Sequence, residues 1–281
     1  MMLKRLLKIG LFLTLLAYVG FCATVYFWPQ LFFYDPTLRA SSLENARANG
    51  FAAQRVEYRA ADGTELYGWY ISPKPQRPLI VFLHGNSYNI EKFYHKLQPF
   101  VAAGYGILLP EYRGFGDVKG TITQAGLEQD ALAALDWLRR QGYANRDIYI
   151  YGMSLGSYTA TYSAHTLGRA DPFAGVILEV PFDSMYSDVK DLVWFPLPLK
   201  LIMRDKYNNM DKIAQIRSPL LIMGGGQDTL VPVNHAEALF AAANEPKKMI
   251  VYPKAKHDNL YDFANYRDIL NWLQEHEKNR S

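Results

Sequence analysis

Five short apolar runs constrain this chain more than any other feature: LIVFL at 79–83, GILLP at 106–110, IYIY at 148–151, VILEV at 176–180 and LLIM at 220–223. Each is too short for a helix. Each, Glu179 excepted, is apolar at consecutive positions rather than at every second one, as a strand covered on both faces must be. Stretches of helical spacing separate them, expected at 90–103, after Thr121, at 155–167 and at 232–243. Behind Thr121-Ile122-Thr123-Gln124, which fits a capping box, Leu127, Ala131, Leu135 and Leu138 mark one helical face, and Gly142 follows its last turn. A strand at 249–252 and a closing helix at 260–277 complete the series, and two strands at 55–60 and 66–71 precede it, joined by the hairpin signal Asp62-Gly63. Strands alternating with helices build βαβ units. The expected class is therefore α/β, a mostly parallel sheet with helices on both faces and ligands at the carboxyl ends of the strands. With 49% apolar residues, 281 residues are enough for a sizeable core.

The N-terminus obeys a different rule. Residues 9–28, IGLFLTLLAYVGFCATVYFW, carry no charge and are long enough to cross a hydrocarbon core as a helix. Lys4, Arg5 and Lys8 form a basic flank over 1–8, while Tyr26, Phe27 and Trp28 close the run as an interfacial belt would. The run exceeds the core of a secretory signal, and Phe21-Cys22-Ala23 is a poor cleavage site, so an uncleaved anchor is expected over a signal peptide. Positive-inside bias places the N-terminus in the cytoplasm and the body on the extracytoplasmic side, periplasmic in a Gram-negative cell. Removing those three bases from the 30 in the chain leaves 27 against 27 acids. The body is neutral, with no basic face for nucleic acid. Cys22 is the one cysteine, which excludes an intrachain disulfide, and no metal or cofactor motif is present.

Residues 29–54 read as a connecting segment and 55–281 as the catalytic body. Within it 185–207, MYSDVKDLVWFPLPLKLIMRDKY, breaks the strand–helix rhythm. Long insertions in compact domains usually serve function. This one is expected to cap the site with an apolar lining.

Gly-Met-Ser-Leu-Gly at 152–156 stands between the strand IYIY and a helix, the context of a nucleophile elbow. Such a turn lifts the hydroxyl of Ser154 above the sheet, with Gly152 and Gly156 avoiding collisions. A serine needs a base to take its proton and donors to receive the oxyanion. Asp228, after LLIMG, and His257, after KMIVY, follow in the order acid then histidine and occupy strand-to-helix loops on the same sheet edge. His257 is the candidate base and Asp228 the residue that orients it. Asp183, in VPFDS, is an alternative acid, and Asp258 is expected to cap the last helix. After LIVFL comes His84-Gly85-Asn86, and the main-chain N–H groups of Asn86 and Leu155 are the candidate oxyanion donors.

HGN at 84–86, EYRGFG at 111–116, GMSLG, QD-x-x-VP at 227–232 and the late His257 together resemble the α/β-hydrolase fold over roughly residues 55 to 277. The membrane run with YRGFG and LGS is similar to the Bem46-like group, which includes the mammalian ABHD12/13/17-type serine hydrolases. The chain departs from that pattern at Gly224-Gly225-Gly226, where a His-Gly is common. It departs again at Asp117-Val118-Lys119 after the arginine turn, and at Lys256 before the histidine. The resemblance implies a Ser-His-Asp hydrolase without cofactor. Epoxide hydrolases and dehalogenases of the fold carry Asp at the elbow instead.

The expected protein is a membrane-anchored serine hydrolase cleaving esters or thioesters of an apolar, small-molecule or lipid-like acyl substrate. Two alternatives stay open: a peptidase or aminopeptidase on the same fold, and a non-catalytic, membrane-tethered binding protein.

Overall fold

A computed structural model describes residues 2–278; Met1 and residues 279–281, at the ends of the expected basic flank and body, lie outside it. In chain order the strands are β1 (Asp35–Pro36), β2 (Gln54–Arg59), β3 (Glu65–Ile71), β4 (Leu79–Leu83), β5 (Ser87–Tyr88), β6 (Gly106–Pro110), β7 (Ile148–Met153), β8 (Gly175–Glu179), β9 (Leu220–Gly225) and β10 (Lys247–Tyr252). The helices are α1 (Met2–Phe27), α2 (Gln30–Phe33), α3 (Leu43–Ala48), α4 (Tyr94–Ala102), α5 (Gln124–Arg140), α6 (Leu155–Leu167), α7 (Met185–Leu192), α8 (Leu199–Ile202), α9 (Met210–Ile213), α10 (Val233–Ala242) and α11 (Asn265–Lys278).

Eight strands form one sheet in the order β10-β9-β8-β7-β4-β6-β3-β2. The pairs from β10 to β6 are parallel, and β3 joins β6 and β2 antiparallel. Every residue of β4, β6, β7, β8 and β9 is buried, as their unbroken apolar runs require with helices on both faces. From β4 the chain passes through α4 to β6 on one side, then returns through α5 to β7 on the other. That reversal opens a crevice outside the carboxyl ends of β4 and β7, where ligands bind in such sheets.

Several boundaries differ from expectation for local reasons. Helix α5 is capped by Thr123, whose Oγ1 accepts from Gly126 N at 3.0 Å, so no capping box forms at Thr121. The helix expected at 90–103 opens as a 3₁₀ turn over Ile90–Lys92 before α4. The closing helix is broken at Ala264, whose φ of 58° lies in the left-handed region, leaving a 3₁₀ turn over Leu260–Phe263 ahead of α11. Asn259, not Asp258, precedes that turn, and its Oδ1 accepts from Lys256 N at 2.7 Å.

The basic flank is not separate from the apolar run, since α1 continues through Lys4, Arg5 and Lys8. Nor is 29–54 a plain connector. Its β1 pairs in parallel with β5, Asp35 opposite Ser87 and Pro36 opposite Tyr88. Segment 185–207 folds into α7 and α8. It is held by Gln124, whose Oε1 accepts from Lys206 N and Tyr207 N at 2.9 Å each, and by a hydrogen bond between the Tyr34 and Tyr207 hydroxyls.

Candidate active site

Ser154 is the single residue between β7 and α6, at φ 53° and ψ −118°. A side chain seldom tolerates that region, and a strained residue there marks a turn the surroundings impose. Its N–H is held by the Glu179 carbonyl at the end of β8, 2.9 Å away. The flanking glycines are sterically required. A Cβ on Gly156 would strike the Leu83 carbonyl, and one on Gly152 the Gly156 carbonyl. The pentapeptide thus lets α6 start directly against the end of β4.

Asp228 and His257 reach the same point from the neighbouring β9 and β10. His257 Nε2 stands 2.9 Å from Ser154 Oγ, and Nδ1 stands 2.8 Å from Asp228 Oδ2. The other carboxylate oxygen of Asp228 accepts from Leu230 N at 2.9 Å and Val231 N at 2.8 Å. The Asp228 side chain is fully buried, whereas the imidazole keeps some exposure to the crevice. These contacts fix the direction of the carboxylate, and it in turn fixes the ring.

The alternative acid goes elsewhere. Asp183 Oδ1 lies 3.1 Å from Nδ1 of the buried His235, on α10, and makes no contact with His257. Asp188 and Asp191 of α7 stand 3.9 and 3.5 Å from the other nitrogen of the same ring. Burial alone would lower the pKa of His235, but its bond to Asp183 and the charges of Asp188 and Asp191 raise it. Burial likewise pushes against ionisation of Asp183, and the His235 bond outweighs it, holding the carboxyl below its usual range. Burial pushes Asp188 up to about 6. Nothing in the sequence singles out His235. Its acidic partners sit in a different segment, so no local spacing announces the cluster.

After β4, His84 is packed between the rings of Phe93, Tyr112 and Phe115, its Nε2 3.2 Å from Glu111 Oε1. Glu111 Oε2 also accepts from Ile90 N at 3.1 Å and from the Ser41 hydroxyl at 3.1 Å. The EYRGFG glutamate therefore buttresses the loop that carries Asn86. Asn86 donates through Nδ2 to the Phe33 carbonyl at 2.9 Å, and its own carbonyl accepts from Asp35 N at 2.9 Å. Its main-chain N–H makes no bond within the described residues, and the N–H of Leu155, in the first turn of α6, has no intrahelical partner.

A cavity of about 550 Å³ opens beside Ser154, within the range of small-molecule sites. Phe93, Met153 and Leu230 give it apolar walls, Lys92 and Lys256 give it cationic ones, and Asp262 gives it an anionic one. Asp258, expected as a helix cap, lines it too. No residue of 185–207 does, so the lining expected from that segment is supplied instead by the end of β7 and the loops after β4, β9 and β10. The segment instead meets α1, with the Phe195 ring beside Phe21 and the Pro196 carbonyl bonded to Tyr18.

The prolyl oligopeptidase family matches residues 91–280. The chain belongs to that family, within the α/β-hydrolase fold. Its relatives include the uncharacterized protein YfhR of Escherichia coli (strain K12), 30% identical over 92% of this chain and 89% of that protein. Human ABHD12B is 31% identical over 68% of this chain and 59% of that one, in line with the resemblance noted from the motifs. The solved Pyrococcus furiosus esterase Pf2001 superposes with a TM-score of 0.67 at 20% identity, covering 86% of this chain and 98% of its own, which shows the shared fold. With this family and fold the chain is a hydrolase.

Proposed function

We propose that the chain is a membrane-anchored serine hydrolase with Ser154 as nucleophile, His257 as base, Asp228 as the orienting acid, and the Asn86 and Leu155 N–H groups as oxyanion donors. The observation that carries the reading is the imidazole of His257, within hydrogen-bond reach of Ser154 Oγ at 2.9 Å and Asp228 Oδ2 at 2.8 Å. With Nδ1–H donating to Asp228, Nε2 accepts the serine proton as Oγ attacks a carbonyl carbon. The two N–H groups receive the developing oxyanion, each contributing about 3 kcal/mol by precedent. Nε2–H then protonates the departing alcohol or thiol. Water repeats the cycle on the acyl-enzyme and releases the acid.

The substrate class follows from the cavity. Apolar walls suit the acyl chain of an ester or thioester, while the rim carries both signs of charge, Lys92 and Lys256 with Asp258 and Asp262. A second reading, peptide hydrolysis, is favoured by the family match alone. A panel of p-nitrophenyl esters of rising chain length, run against peptide anilides, separates the two.

Helix α1 supports the anchor: mean hydropathy 2.0 in its most apolar stretch, which is almost entirely exposed. Its basic end argues for a cytoplasmic N-terminus and an extracytoplasmic catalytic domain. A reporter fused to the C-terminus checks this, and a cytoplasmic signal would reverse the orientation. For the chemistry, a fluorophosphonate probe should label the folded wild type and not Ser154→Ala. Labelling that survives the substitution would sink the assignment, and a folded wild type that never labels would favour a binding protein.

A further inference from the structure

The tip of segment 185–207 presents apolar side chains to its surroundings. Between Leu192 and Met203 the chain carries a single charge, Lys200. Trp194 is 92% exposed and Leu201 77%. Contiguous apolar surface of this kind marks an interaction site rather than a solvated loop.

Its neighbour is α1. The Phe195 ring lies 6.2 Å from that of Phe21, and the Tyr18 hydroxyl donates to the Pro196 carbonyl at 2.9 Å. Farther up, the Arg204 guanidinium stands 5.6 Å from the Tyr26 ring, where the aromatic residues close the apolar run. At a rise of 1.5 Å per residue, Tyr18 lies about 12 Å along the helix from Tyr26. The tip therefore runs down beside α1, from the level of its aromatic end toward the middle of its apolar stretch.

We propose that residues 192–202 insert into the leaflet adjoining the catalytic domain, as a second membrane-embedded element whose partner is the acyl region of the lipid bilayer. The proposal rests on the reading of α1 as a membrane anchor. Part of the tip's backbone meets the demand of that medium, in which each N–H and C=O needs a partner inside the protein, while the N–H groups of Trp194, Phe195 and Leu197 make no hydrogen bond within the described residues. Pro196 and Pro198 have no N–H to satisfy. The Pro196 carbonyl is met by Tyr18. Leu199 N, Leu201 N and Met203 N bond to Leu197 O, Pro198 O and Leu199 O at 2.8, 2.8 and 2.9 Å. Lys200 has a stem long enough to carry its ammonium back to the headgroups, and Arg204 is already at their level. Two points of insertion would fix the rotation of the catalytic domain about α1, which one helix alone leaves free.

The test uses the full chain in phosphatidylcholine nanodiscs on a Cys22→Ser background. An environment-sensitive fluorophore is attached at Leu201→Cys in the tip, at Leu13→Cys in α1, or at Arg59→Cys on the β2–β3 hairpin. The expected result is that nitroxides on the lipid acyl chains quench the probes at 201 and 13 several-fold more strongly than aqueous iodide does, with the reverse at 59. Lipid quenching at 13 with iodide quenching at 201 overturns the insertion and leaves the anchor standing. Iodide quenching at both positions removes the anchor and the insertion with it. If labelling at 201 disturbs folding, the emission difference between wild type and Trp194→Phe in brominated phosphatidylcholine gives the same decision. Quenching of that difference supports insertion, and its absence refutes it.

Discussion

Asp228 and Asp183 are chemically identical and both follow central strands, yet they face different histidines. Asp228 meets His257 at 2.8 Å, and Asp183 meets His235 at 3.1 Å. The distinction predicts separate kinetic outcomes. Asp228→Asn should leave the fold intact and lower kcat on a p-nitrophenyl ester by about 10⁴-fold, because an amide opposite Nδ1 stabilises the wrong tautomer. Asp183→Asn should keep kcat within a few-fold of wild type. Equal losses in both would place the orienting acid elsewhere. Ser154 itself was legible from GMSLG and its strand–helix context, and its φ of 53° is the backbone form of that context. Asp228 is favoured over Asp183 by its place after LLIMG and before the helix from Pro232, although sequence order alone admits either residue.

At the level of elements, two ties hold the loops around the crevice. The first is β1 against β5, which brings the chain emerging from α1 beside the loop that carries Asn86. Asn86→Ala keeps the main-chain N–H but releases the Phe33 carbonyl, losing a hydrogen bond worth about 1 kcal/mol. A drop in kcat of roughly 5-fold with KM little changed is expected, the signature of a donor displaced in the transition state. The second tie is α7 to α10 through His235. The folded pKa of His235 is raised, so its contribution is complete below about pH 6.5 and is lost as pH climbs through the folded value. Asp183, with a lowered pKa, contributes above about pH 4 and loses that contribution as pH falls. His235→Gln should therefore cost about 1–2 kcal/mol near pH 6, and urea midpoints at pH 9 should show a smaller deficit. Neither tie left a trace in the sequence. A two-residue parallel pairing has no periodicity, and a histidine meeting three aspartates across two helices has no spacing rule. The central strands were legible almost to the residue because burial on both faces imposes an unbroken apolar run. The segment 185–207 shows the limit of that logic. Its composition announced apolar surface, but composition does not say what the segment meets, and it meets α1 rather than the cavity beside Ser154.

In the whole molecule, α1 and the crevice beside Ser154 are neighbours. From Phe27, the last residue of α1, to Asp35, the first paired beside the loop that carries Asn86, the chain has eight residues to span. That is a reach of at most about 29 Å, less here because α2 coils four of them. With α1 as the anchor proposed above, such a tether leaves the hydrolase unable to sample bulk solution. It meets molecules by lateral diffusion in its own bilayer, and the relevant concentration is the number of substrate molecules per unit area. Diluting a long-chain ester with inert lipid at constant total substrate should thus slow turnover roughly in proportion to its mole fraction. A soluble short-chain ester in the same vesicles should be hydrolysed at an unchanged rate.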